Sequence, residues 1–261
     1  MSQNVPTPSG VPDQPPVRRV AIRFPVSQPR LMYVLLAVNV AVFLYYFSLP
    51  TAEQVRFLWR WGKVNEQIAQ GEYYRLFTAM FLHLNLSHIL LNGMALYFFG
   101  RDVEALFGSL RFAVIYLLGG LSGSLASFVF TDALSVGASG AIFAIFGAEL
   151  VYLYQHRDLH GPGGRKLLSR LLTFMALNLA FGVISSTGVG SFRIDNAGHI
   201  GGLLGGVVLT WFIGPLYRVR YTPTDGQLRV VDENPPTAWA RYAALYAVVL
   251  AALTSYAVRG G

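Results

Sequence analysis

Three short runs of the chain carry groups that could open an amide bond. Val136-Gly137-Ala138-Ser139-Gly140-Ala141 holds a serine among small residues, and Asp195-Asn196-Ala197-Gly198-His199-Ile200-Gly201-Gly202 holds a histidine. A third run, His83-Leu84-Asn85-Leu86-Ser87-His88, ends four residues before Asn92. A serine hydroxyl is a poor nucleophile at neutral pH. A neutral imidazole within hydrogen-bond reach can take its proton during attack on a carbonyl. Ser139 and His199 form a candidate pair of that kind. Acyl transfer also needs donors for the developing oxyanion. His88 and Asn92, at i and i+4, share one helix face and each could offer a side-chain N–H. The Ser139 N–H, near a helix start, is a third candidate donor. Each residue also has a plainer reading. A serine among Gly and Ala in an apolar helix is usually a packing residue bonded to a carbonyl. His199 could be a satisfied structural histidine, and His88 and Asn92 could bridge helices.

These groups sit in a chain that a soluble enzyme could not use. Of 261 residues, 54% are apolar and 13% charged, with a mean hydropathy of +0.46. Soluble domains carry about 25% charged residues. That excludes an ordinary cytosolic globule, a disordered protein and a coiled coil. The absence of cysteine excludes disulfides and thiolate metal sites. No His-Glu-x-x-His run offers a zinc site, and no pair of intramembrane aspartates offers an aspartyl mechanism. Neither metal nor cofactor is expected. The aromatic share of 14% suits belts of Trp and Tyr at a bilayer surface. The net charge of +7 forms no basic stripe, so no nucleic-acid partner is expected.

Seven apolar runs are long enough to be membrane helices: Leu31 to Leu49, then roughly 84–100, 111–131, 137–155, 167–187, 196–214 and 239–258. The first, 19 residues without a charge, spans roughly 28 Å, about one hydrocarbon core. Residues 1–30 hold seven prolines and read as a disordered cytoplasmic tail. Residues 50–83 read as an amphipathic loop on the membrane surface. Residues 31–215 form the membrane domain, and 216–261 a cytoplasmic linker with a seventh span. With the amino terminus inside, 14 Lys and Arg lie inside and six outside, the bias expected of cytoplasmic loops. Spans two, four and six then start at the same outer face. That places His88, Ser139 and His199 at similar depth.

Small residues supply the means of approach. Gly198, Gly202 and Gly206 recur every four residues along one face of the sixth span, with Gly201 and Gly205 beside them. Ala138, Gly140, Ala141 and Ala144 thin the fourth. Such faces let helix backbones come close.

Taken together, Gly137-Ala138-Ser139-Gly140, His199-x-x-Gly202-x-x-x-Gly206, His88-x-x-x-Asn92 and Glu72-Tyr73-Tyr74-Arg75-Leu76-Phe77-Thr78 resemble the rhomboid family of intramembrane serine proteases. The resemblance covers about residues 31–215. It implies an all-α polytopic bundle of six helices, here with one extra carboxy-terminal transmembrane helix. It also implies a Ser139 nucleophile with His199 as general base, and an oxyanion hole that includes His88 and Asn92. His83 would lie in an outer, water-bearing cavity, and Arg75 would anchor the surface loop. Gly198 stands where Ala is common and Tyr74 where Trp is. Phe143 stands where many members have Tyr, and its ring could stack on His199 without offering a hydroxyl. The resemblance implies a serine endopeptidase cleaving single-span membrane proteins in the bilayer, with no cofactor. The missing targeting segment fits a bacterial plasma membrane, with the site opening to the outer face.

Asp195, four residues before His199, could orient the imidazole as a triad acid or cap the helix. Glu149, ten residues after Ser139, lies roughly 15 Å deeper and is too far away to act on it. Other functions are a transporter or channel, with Glu149, Asn178 and His199 along a polar path, and an inactive relative that binds membrane helices. The chain shows no inverted repeat of the transporter kind.

Overall fold

The computed structural model describes residues 25–186, 194–223 and 227–260. Most of the proline-rich tail expected over 1–30 lies outside the described residues. Helix α1 (Leu31–Ser48) is followed by α2 (Thr51–Trp61), α3 (Asn65–Ala69) and α4 (Tyr74–Thr78). Next come α5 (Leu86–Ala95), α6 (Arg101–Phe107), α7 (Ser109–Phe130), α8 (Ser139–Gln155) and α9 (Arg157–Ser186). The described chain ends with α10 (Asn196–Ile213), strands β1 (Tyr217–Thr222) and β2 (Gln227–Asp232), and α11 (Pro236–Gly260). Among the described residues, five helical stretches are long and apolar enough to cross a bilayer. A sixth is formed by Tyr74–Phe81 with Leu86–Phe107, bent by 92° at the break.

Three sequence expectations are corrected here. Residues 50–83 are not a loop but three helices and a 3₁₀ turn at Ala79–Phe81. The last of these pieces joins the second span. The span read as 84–100 begins at Leu86 and runs on through a π turn at Leu96–Gly100 into α6, while the span read as 167–187 has its apolar stretch over Gly163–Ser185 within a helix that starts at Arg157. The linker after residue 215 contains an antiparallel hairpin, with Arg220 opposite Arg229. The fold is otherwise all-α, a polytopic membrane bundle.

Helix α8 is the axis of the bundle. Twelve of its 17 residues are buried, including Ala141 through Glu149 without a break. Helices α1, α9 and α11 instead turn large apolar side chains outward, among them Leu44, Phe47, Phe181, Val248 and Tyr256. The apolar solvent they face is the lipid. Glu104 ties the first span to the third. Its carboxylate accepts the Arg30, Leu31 and Met32 N–H groups at 3.0, 2.8 and 2.6 Å and the Ser109 hydroxyl at 2.5 Å. That satisfies the open start of α1. At the end of the molecule away from Ser139, Arg111 pairs with Asp232 at 2.7 Å and donates to the Asn234 carbonyl. The Tyr217 N–H donates to His156 Nε2 at 2.9 Å, so His156 Nδ1 carries the proton given to the Tyr152 carbonyl at 2.8 Å. The hairpin is thereby fixed to α7 and α8.

Candidate active site

The serine enters on a strained turn. Gly137 has φ +132°, a backbone conformation open to glycine. Its N–H is held by the Ala79 carbonyl at 2.9 Å. A Cβ built on Gly137 would lie 2.7 Å from His88 Nε2 and 3.6 Å from Asn92 Nδ2, so a side chain there would collide with the histidine. His88 and Asn92 therefore stand against the backbone that leads into Ser139. Their own helix is fixed at its start by Asn85, whose side chain accepts the His88 N–H at 2.9 Å. Asn92 Nδ2 is buried and makes no hydrogen bond among the described residues.

Ser139 occupies the first turn of α8, and the histidine reaches it from α10. Glycine makes that approach possible. Cβ atoms at Gly202 and Gly206 would overlap the carbonyls of Gly140 and Ala144, and one at Gly123 of α7 would lie 2.7 Å from the Gly198 carbonyl. Three backbones thus meet just below the serine and the histidine. His199 is 5% exposed, and its ring lies flat on Phe143, with centroids 4.3 Å apart and planes 10° apart. Phe143 is one turn from Ser139, so the stack places the imidazole on the serine's face of α8. Among the described residues no hydrogen bond joins the Ser139 hydroxyl to the His199 ring, and His199 Nδ1 has no partner. Catalytic hydrogen bonds are often long before substrate binds.

The two readings of Asp195 are now separable. Its carboxylate accepts the Gly198 N–H at 2.9 Å and the Ser135 and Thr131 hydroxyls at 2.6 and 3.3 Å. It caps α10 and holds the loop before α8. Burial opposes its charge, yet the Ser135 hydroxyl, the Gly198 N–H and the Lys63 charge keep its pKa below the usual range. Gly198 sits over it, and an added Cβ would come 3.0 Å from Oδ2. The carboxylate would then have to yield slightly to an alanine at this position.

Arg75 is buried and gathers the surface segment. Its guanidinium bonds Glu72 at 2.6 Å and the Trp59 and Gly62 carbonyls at 2.5 and 3.3 Å, and it lies over the Tyr74 ring. The Glu72 carboxyl is held below its ordinary pKa by the Tyr74 hydroxyl and by Arg75. His83 is 1% exposed and packed edge-on against His88, with centroids 5.0 Å apart. Glu149 is buried far along α8, where the charges acting on it come from Asp102 and Arg170 rather than from the site. Among the described residues no cluster of His, Asp and Glu could hold a metal ion.

Sequence reasoning passed over Lys63 and Asn65. They bind the end of α7 and the following loop, and Lys63 lines a small polar cavity with Ser127, Ser135, Asp195 and Ser139.

Helices of membrane-crossing length around a buried, serine-bearing axis make this a polytopic membrane protein. The family model described as the Rhomboid domain matches residues 70–216. The chain is 38% identical to Rhomboid protease GluP of Bacillus subtilis (strain 168) over 70% of its own length and 34% of GluP's. It is 34% identical to YdcA of the same strain, over 69% of this chain and 87% of YdcA. With RHOMBOID-like protein 1 of Arabidopsis thaliana it shares 36% identity over 59% of its length and 38% of that protein's. The chain thus spans little more than a third of GluP and of RHOMBOID-like protein 1. It belongs to the rhomboid family.

Proposed function

We propose that this chain is an intramembrane serine endopeptidase that cleaves single-span membrane proteins with a Ser139–His199 dyad. The observation that carries the reading is the flat stack of His199 on Phe143, one turn from Ser139, across the glycine contact of α8 and α10. In that arrangement Ser139 Oγ attacks the scissile carbonyl carbon while His199 takes the hydroxyl proton. The Ser139 N–H and the side chains of His88 and Asn92 receive the oxyanion. Collapse of the tetrahedral intermediate breaks the C–N bond, and the amine leaves with the proton from His199. Water, deprotonated by the same imidazole, then hydrolyses the acyl-enzyme. Because a substrate helix hides its carbonyls, Gly or Pro near the scissile bond favours cleavage by loosening that helix. The balance of Lys and Arg supports a cytoplasmic amino terminus and a site open to the outer face of a bacterial plasma membrane.

The test is covalent capture by a fluorophosphonate in detergent, together with cleavage of a single-span reporter whose helix is broken by Gly and Pro. Capture at Ser139 and cleavage are expected in the wild type. Ser139→Ala and His199→Ala should each lower cleavage by on the order of 10⁴-fold or more, with melting temperature little changed. The double variant should be no worse than either single one, because the two groups act as a unit. Retained cleavage in Ser139→Ala would sink the mechanism. A wild type that is neither captured nor active would favour the inactive-relative or transport reading.

A further inference from the structure

Lys63 is the most deeply buried cation among the described residues. It is 1% exposed, and its Nζ donates to Asn65 Oδ1 at 2.9 Å, the Thr131 carbonyl at 2.5 Å and the Ser127 carbonyl at 3.3 Å. Three donors meet three acceptors, so the ammonium is saturated. Its backbone adds a second attachment. The Lys63 N–H donates to the Ser135 carbonyl at 3.0 Å, and the Ser135 N–H returns a bond to the Lys63 carbonyl at 3.1 Å. Asn65 Nδ2 binds the Phe128 and Thr131 carbonyls at 2.9 and 3.1 Å and Asp132 Oδ1 at 3.2 Å. The segment from Thr131 to Ser135 is therefore gripped from the side of α3.

The same segment is gripped from the other side by α10. Ser135 and Thr131 give their hydroxyls to Asp195, the residue that caps the helix carrying His199. Two residues after Ser135 comes Gly137, and two after that Ser139. One loop thus stands between the nucleophile and the base, held by a buried cation on one face and a half-buried anion on the other. The two charges act on each other across the loop without touching, since Lys63 Nζ is taken up by Asn65 and two carbonyls. Charges out of water are rarely a source of stability, because desolvation offsets much of their attraction. Their better-attested effect is to hold one arrangement among several.

Resting on the protease reading above, we infer that Lys63 is a positioning residue: with Asp195 it clamps the 131–138 loop so that Ser139 and His199 keep one separation. The clamp depends on charge. Burial pulls the Lys63 ammonium down to a pKa of about 8, while Asp195 and Asp132 act to raise it. The other groups against Nζ are the neutral Asn65 amide and the Ser127 and Thr131 carbonyls. As pH rises through this value the ammonium is lost and Asp195 loses its counter-charge. Cleavage should fall with it.

The experiment is the pH profile of kcat for the full-length protein in proteoliposomes, with the single-span reporter as substrate. The wild type should show an alkaline limb near pH 8. Lys63→Met should lower kcat by about 100-fold, the loss expected of an ångström-scale misplacement. Its KM should change little, and its alkaline limb should be gone. Asp195→Asn keeps the capping oxygen and removes the charge. Its alkaline limb should move to lower pH, because Lys63 then lacks its main counter-charge; this readout survives even where Lys63→Met fails to fold. An unmoved limb in Asp195→Asn, or a Lys63→Met enzyme with wild-type kcat, overturns the clamp and leaves the dyad intact. A wild type that cleaves at no pH instead overturns the protease reading, and the clamp with it.

Discussion

Two regions of this molecule bring backbones together by opposite means. Between α8 and α10 closeness comes from missing side chains, with Gly202 and Gly206 set against the Gly140 and Ala144 carbonyls. Around residues 59–78 it comes from long side chains reaching in, with Arg75 on the Trp59 and Gly62 carbonyls and Lys63 on those of Ser127 and Thr131. The difference follows from what each backbone still needs. A helix in lipid has already paired its own N–H and C=O groups, so a close neighbour requires only the absence of a Cβ. Helix ends and irregular segments have carbonyls left over, and a buried carbonyl must find a donor. The seam is therefore vulnerable to added bulk and the polar frame to truncation.

The largest effect should come from bulk in the seam. Gly202→Val would drive a branched side chain into the Gly140 carbonyl. It should lower cleavage by more than about 100-fold by separating Ser139 from His199, and it should lower the melting temperature. Wild-type turnover per folded molecule in Gly202→Val would show that the seam does not set the separation. Phe143→Ala comes next, since it empties a buried site beside the imidazole. The expected cost is about 3–5 kcal/mol in denaturant unfolding, with specific activity also reduced. Phe143→Tyr should keep activity, because the ring face is unchanged. On the polar side, Arg75→Ala removes a buried guanidinium from Glu72 and two carbonyls. It should cost about 1.5–3 kcal/mol, and Arg75→Lys should not restore the loss, because an ammonium lacks the fork. Equal tolerance of Arg75→Ala and Arg75→Lys would show that the frame is held elsewhere. The smallest effect belongs to Arg56→Ala. Its ion pair with Glu53 is exposed, and the change should stay within about 0.5 kcal/mol.

What could be read in the sequence was what repeats or pairs locally. The four-residue glycine spacing and the one-turn offset of Phe143 from Ser139 are local regularities, and both correspond to contacts in the folded chain. The pieces within 50–83 were hidden because α3 and α4 are five residues each, too short to show a period. The alternation Tyr217-Arg218-Val219-Arg220-Tyr221, followed by Asp225-Gly226, carried a hairpin signal that a linker reading passed over. Lys63 and Glu104 could not be found that way. The carbonyls on Lys63 lie 64 and 68 residues further on, and the N–H groups on Glu104 lie 72 to 74 residues earlier. For Asp195, spacing allowed a triad acid as well as a cap. The decision came from Ser135 and Thr131, which no local pattern ties to it.

The length of α8 has a consequence for the lipid. Its 17 residues make roughly 25 Å of helix, against about 30 Å of hydrocarbon in a typical bilayer. If Gln155 lies level with one boundary, Ser139 stops short of the other by roughly 5 Å. The depth of the hydroxyl is then set by the acyl chains around the bundle as well as by the bundle. Thinner membranes bring Ser139 toward the headgroups and thicker ones bury it further, a form of hydrophobic mismatch felt at one residue. Acyl-chain length thus becomes a property of the site.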